Sequence, residues 1–218
     1  MILYGLSLIV AIIRYRKYYG TPLKYFPIFL LYTFINETLG GIIRLNQNFS
    51  LHFSEFYIDN NWLIFNIYNV AVHLYLFYIF SNFINNHKYK KLIRQGALIY
   101  IFVSLINPFF EDYMLHPQTY AYLIGGVTII ISVILYIKNY KAESHSIFDS
   151  RDILSWIGVG LLIFYLGYLP IKIIRNYNIL NNLIEPSHIR TIHYGLIIIM
   201  YTFITIGFVR MKKVKVPS

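Results

Sequence analysis

The chain contains no cysteine, which excludes disulfide frameworks, thiolate metal sites and cysteine nucleophiles and leaves the redox compartment open. Charge is scarce as well. Only 13% of the residues are Asp, Glu, Lys or Arg, against about 25% in a soluble domain. With 57% hydrophobic residues and a mean hydropathy of +0.55, a soluble globular fold is excluded and an integral membrane protein is expected. No Gly-x-Ser-x-Gly elbow, phosphate-binding glycine loop or Rossmann fingerprint occurs, so the common hydrolase and nucleotide chemistries have no anchor. The last apolar run has no lysine for a retinal Schiff base. No linker, low-complexity segment or internal repeat interrupts residues 1–218, which read as one bundle.

What is present is a series of apolar runs at about 1–15, 25–43, 61–83, 95–110, 119–137, 153–171 and 191–209. They predict an all-α polytopic bundle of seven transmembrane helices. The loops after the first, third and fifth runs and the C-terminal tail hold four, four, three and four Lys or Arg residues. The opposite side holds four: Arg44, Lys172, Arg175 and Arg190. This asymmetry predicts an outside N-terminus and an inside C-terminus in the cell (inner) membrane, and it accounts for the net charge of +10 without a nucleic-acid partner. Met1–Ile13 lacks the leading positive charge and small-residue cleavage site of a secretory signal, so it is expected to be a retained first span. Many of the 22 tyrosines fall near span ends, where an amphipathic ring suits the headgroup level. Leu45–Asn60 is too polar to cross and is expected to lie as a short helix in the outer interface. Gly125, Gly126, Gly158, Gly160 and Gly167 offer close helix approach. Asp149 or Ser150 is expected to cap the sixth helix and Pro170 to kink it.

The third run, Asn61–Phe83, carries Asn66, Asn69 and His73 inside an otherwise apolar stretch. On a helix Asn66 and His73 fall about 20° apart and Asn69 within about 60° of both, so the three share a face that must avoid lipid. Trp62 stands at its mouth. Glu37 lies at matching depth in the second run, roughly 10 Å from its outer end. A carboxylate there must be neutral, open to water, or paired with a cation such as Arg44 or Lys172. Glu37, Asn66, Asn69 and His73 are therefore expected to form one polar centre in the outer half, either a ligand-binding or proton-relay site or a packing network. Glu111, Asp112 and His193 would add an outer vestibule together with Arg44, Trp62 and Lys172. His residues spaced for a metal are missing: no His-x-x-x-His occurs, and no metal or other cofactor is expected. The tail RMKKVKV suits an anionic inner leaflet.

The short first span, GTPLKYFPIFLLYTFINETLG and NNWLIFNIYNVAVHLYLFYIF give the chain a resemblance to small seven-helix bacterial membrane proteins, similar to the membrane-embedded input segments of histidine kinases. The resemblance implies sensing, with output through a separate cytoplasmic signalling protein because the sequence carries no kinase domain. The expected function is accordingly a membrane receptor or accessory sensor, taking a small ligand from outside and partnered by the lipid bilayer. A small transporter or channel subunit with Glu37 and His73 on its pathway is the second reading, and an intramembrane enzyme the third.

Overall fold

A computed structural model describes residues 2–45, 62–181 and 183–214. Among them no strand occurs, and seven α-helices follow one another: α1 (Ile2–Ile13), α2 (Phe26–Leu45), α3 (Trp62–Phe83), α4 (His87–Ile106), α5 (Thr119–Ser144), α6 (Ile153–Leu180) and α7 (Ser187–Arg210). Five stretches are long and apolar enough to cross a membrane: Trp62–Phe83, His87–Phe109, Thr119–Glu143, Ile153–Leu180 and Ser187–Arg210. The chain is thus an all-helical multi-pass membrane protein. Neither α1 nor α2 is among the five. With 12 residues α1 rises only about 18 Å, and the 20 residues of α2 include Asn36 and Glu37. The expected interfacial helix of Leu45–Asn60 lies outside the described residues.

Short polar side chains set the starts of α4 and α6. Asn86 accepts hydrogen bonds from Lys88 N and Tyr89 N to open α4, and Asp152 accepts from Leu154 N and Ser155 N to open α6. The cap of α6 is therefore Asp152 rather than Asp149 or Ser150. Asp149 instead turns back on Arg151 N. The Asp152 carboxylate also receives the Tyr136 hydroxyl at 2.7 Å, which fastens α6 to α5. At its far end α6 runs ten residues past Pro170, because a missing N–H removes one bond from a ladder that neighbouring helices support. Lys172 and Arg175 are consequently helical residues, not members of a loop.

The helices form a closed ring, α1–α2–α3–α5–α6–α7 and back to α1, with α4 outside it against α3 and α5. The outward face of α4 is apolar and exposed at Leu98, Phe102 and Leu105, as contact with lipid requires. Within a bilayer, close van der Waals packing rather than exclusion of water holds such helices together. Small residues allow it. A Cβ on Gly160 would come within 3.1 Å of Met200 O, so α6 and α7 touch backbone to side of backbone there. Gly126 receives Tyr165 and Leu169 of α6 in the same way. On the other side of α7, Tyr4 meets Tyr201 edge-on at 4.5 Å and Ser7 shares a 2.7 Å hydrogen bond with Thr205, which seats α1.

The end of the ring carrying most of the Lys and Arg residues is tied shut. Lys17 Nζ donates to Met211 O at 2.7 Å, Lys212 N to Arg151 O and Val214 N to Lys17 O. Beneath those ties Tyr18, Phe26 and Phe208 pack ring against ring at 5.4 Å, all fully buried. Burial, and then the neighbouring Tyr15, push the Tyr18 phenol above its ordinary pKa, and its hydroxyl donates to Ala11 O at 2.7 Å.

Candidate functional site

The ring encloses a cavity of about 540 Å³, within the usual size of small-molecule sites. All six ring helices contribute walls and α4 contributes none. Lining positions recur at intervals of three and four residues. They are Phe26, Phe29, Thr33 and Glu37 on α2, Phe65, Tyr68, Asn69, Val72 and Leu76 on α3, and Leu161, Tyr165, Tyr168, Lys172 and Arg175 on α6. Tyr4 of α1, Tyr122 of α5, and Arg190, His193 and Tyr201 of α7 also line it. Helices α2, α3 and α6 each thus turn one stripe inward.

Charge and apolar surface separate along the cavity. At the end where α6 finishes and α7 begins, Arg175 Nε donates to Glu185 Oε1 at 2.7 Å, and Arg190 stands 3.9 Å from the other carboxylate oxygen. Arg175 Nη1 also donates to the Tyr168 hydroxyl at 3.3 Å and to His193 Nδ1 at 3.2 Å. A guanidinium can only donate, so His193 Nδ1 is the acceptor. The His193 ring stacks on Tyr168 at 4.2 Å and 21°. One turn deeper on α6 is Lys172, only 7% exposed, with its ammonium 5.4 Å from the centre of the Tyr122 ring. Among the described residues it makes no hydrogen bond and no ion pair. At the opposite end the walls are Phe26, Leu76, Ile157 and Ile204, with no polar side chain among these four.

The expected polar centre is divided. Glu37 and Asn69 line the cavity, and so do Trp62, Lys172 and His193. Asn66 and His73 do not. Asn66 is buried against the connection between α4 and α5, its amide donating to Tyr113 O at 2.9 Å and His116 O at 3.0 Å while its oxygen accepts from Gln118 N at 3.2 Å. His73 is fully buried in aromatic rings: stacked on Tyr100 at 5.0 Å, edge-on to Tyr122 at 5.2 Å, with Nδ1 2.6 Å from Asn69 O and Nε2 3.4 Å from the Tyr165 hydroxyl. Glu111 accepts from Asn107 Nδ2 and Thr119 N and so pins the start of α5. Asp112 accepts from Met114 N and Leu115 N at the surface. Neither acid lines the cavity. The side chain of Arg44 lies outside the described residues. Among the described residues no three His, Asp or Glu side chains gather as a metal cluster would require.

In the sequence Arg175 and Arg190 stand only as basic residues of the stretch after Pro170. The 3, 4, 3 spacing of Tyr165, Tyr168, Lys172 and Arg175 carried the signal for one helical face, but Pro170 concealed it. The chain matches no protein-family model, no curated protein and no solved structure.

Proposed function

We propose that the chain is a seven-span receptor or accessory sensor of the cell membrane, N-terminus outside and C-terminus inside, that holds a small ligand in the ring cavity. The observation carrying this reading is a cavity of ligand size walled by six helices, charged at one end and apolar at the other. Its support for seven spans is geometric. The ring closes only if α1 and α2 stand beside α7 and α3, and the bilayer must thin locally around the short α1. The positive residues then face the cytoplasm and the cavity opens outward.

The buried stack of Tyr18, Phe26 and Phe208 closes the inner end. That favours a chamber over a pore. The inner ties among Lys17, Arg151 and Met211 couple α1, α6 and α7, so a ligand that shifts α6 against α7 would move the basic inner loops, where a separate signalling protein could read the change. A transporter or channel reading keeps Glu37 on the pathway but loses His73, which is packed away from the cavity.

The absence of cysteine makes the test clean. Single cysteines replacing Tyr194 at the mouth, Leu76 at the apolar end and Arg151 at the basic end are to be labelled with a charged, membrane-impermeant thiol reagent. Tyr194→Cys should label in intact cells and Arg151→Cys only after permeabilisation. Labelling of Arg151→Cys in intact cells would refute the orientation, and labelling of Leu76→Cys from the inside would favour transport.

A further inference from the structure

We propose that the chamber takes a single-chain anionic amphiphile, its carboxylate or phosphate head held by Lys172 and Arg175 and its apolar body lying along the shaft toward Phe26, with entry sideways from the outer half of the bilayer. This rests on the chamber reading above and names its ligand class. Lys172 carries the argument. A buried ammonium without a paired anion is costly, and Lys172 lines the cavity with no ion pair among the described residues, the Glu111 carboxylate acting on it only electrostatically. The two arginines beside it, Arg175 and Arg190, share one carboxylate, Glu185, so that carboxylate is already engaged. An anion supplied from outside would neutralise Lys172.

The rest of the chamber selects against a small inorganic ion. From Arg175 to Ile157 the lining of α6 descends about 27 Å, and below Lys172 it passes the rings of Tyr168, Tyr165 and Tyr68 before it reaches Leu161, Ile157, Leu76, Phe26 and Ile204. A free anion would leave that surface against water, whereas an acyl or isoprenoid body would cover it. The way in is also present. A second crevice of about 340 Å³ shares Tyr4, Glu37, Phe65 and Tyr201 with the chamber and is edged by Leu3, Gly41 and Ile198. Ile198 is exposed and, among the described residues, nothing lies within 4 Å of where a Gly41 side chain would be. The crevice therefore leads from the chamber to the flank between α1, α2 and α7, the face a molecule dissolved in lipid would meet.

The test uses the full chain in phosphatidylcholine nanodiscs, with tritiated palmitate as probe and empty nanodiscs subtracted. One palmitate should bind per chain. Unlabelled lysophosphatidate should displace it, methyl palmitate should compete at least tenfold more weakly, and inorganic phosphate should not displace it at all. Lys172→Met should weaken palmitate at least tenfold without lowering the thermal midpoint of the ligand-free protein, and Lys172→Arg should retain affinity within threefold. Equal competition by methyl palmitate would overturn the anion requirement while leaving the chamber standing. Displacement by inorganic phosphate alone would overturn the amphiphile. Absence of saturable binding by any of these probes would remove this proposal, and absence of any accessible mouth in the cysteine test would remove the chamber itself.

Discussion

Replacing Gly125 by Ala tests where His73 sits. A Cβ at Gly125 would fall 2.4 Å from His73 Cδ2, 2.8 Å from His73 Nε2 and 2.8 Å from Tyr100 Cε2, whereas ordinary contact begins at 3.4 Å. Relief requires a movement of about 1 Å, large on the scale of packed side chains. The imidazole cannot supply it. Its Nδ1 is held 2.6 Å from Asn69 O, and the rings of Tyr100, Tyr122 and Tyr165 surround it. Helix α5 must then move away from α3, at a cost of about 1–3 kcal/mol for over-packing. His73→Ala alone leaves a void and loses the ring contacts, for about 2–4 kcal/mol. In the double variant the new methyl enters that void, so the combined loss should fall short of the sum by about 1–3 kcal/mol. Unfolding free energies in mixed micelles titrated with denaturing detergent give all four corners of the cycle. Strict additivity, or a neutral Gly125→Ala, would refute the placement of His73 against α5 and return it to the cavity.

Two further outcomes are expected. Asn66→Ala removes three hydrogen bonds to the α4–α5 connection and should cost about 3 kcal/mol in the same titration, at roughly 1 kcal/mol each, while palmitate affinity stays within twofold; a loss of affinity with unchanged stability would make Asn66 a binding residue. Tyr18→Phe should cost about 1 kcal/mol near neutral pH by losing the bond to Ala11 O. Because burial raises the folded-state pKa of Tyr18 above its unfolded value of about 10, the folded protein holds that proton more firmly. The advantage over Tyr18→Phe is then full below about pH 10 and disappears as pH rises through the folded value. An advantage equal at pH 8 and pH 11 would contradict the burial of that hydroxyl.

Periodicity located the polar residues of α3 on one face but not what the face meets. Asn66, Asn69 and His73 span an arc of about 60°, and their surroundings divide it. The α4–α5 connection takes Asn66, rings from α4, α5 and α6 take His73, and the cavity receives Asn69. No local pattern can report this, because the position of α5 against α3 is set by glycines such as Gly125, far away in sequence. Glu37, Trp62, Lys172 and His193 were legible as candidates because an ionisable or amphipathic group in an apolar run has few bland explanations. Arg175 and Arg190 were not, since Pro170 and the asparagines Asn176, Asn178 and Asn181 hide the helical period.

The sequence by itself determined the solvent: too few charges and too many long apolar runs for water, with helices as the only fold that satisfies the backbone in lipid. It also determined that the basic residues gather in alternate connections and the tail, because charge distribution between loops is a local property. The ring was decided by tertiary structure alone. Which helices are neighbours depends on small residues meeting across the bundle, as at Gly160 against Met200 and Gly126 against Tyr165. That arrangement left α4 outside, enclosed the cavity, and put the buried cation of Lys172 into it with no ion pair among the described residues.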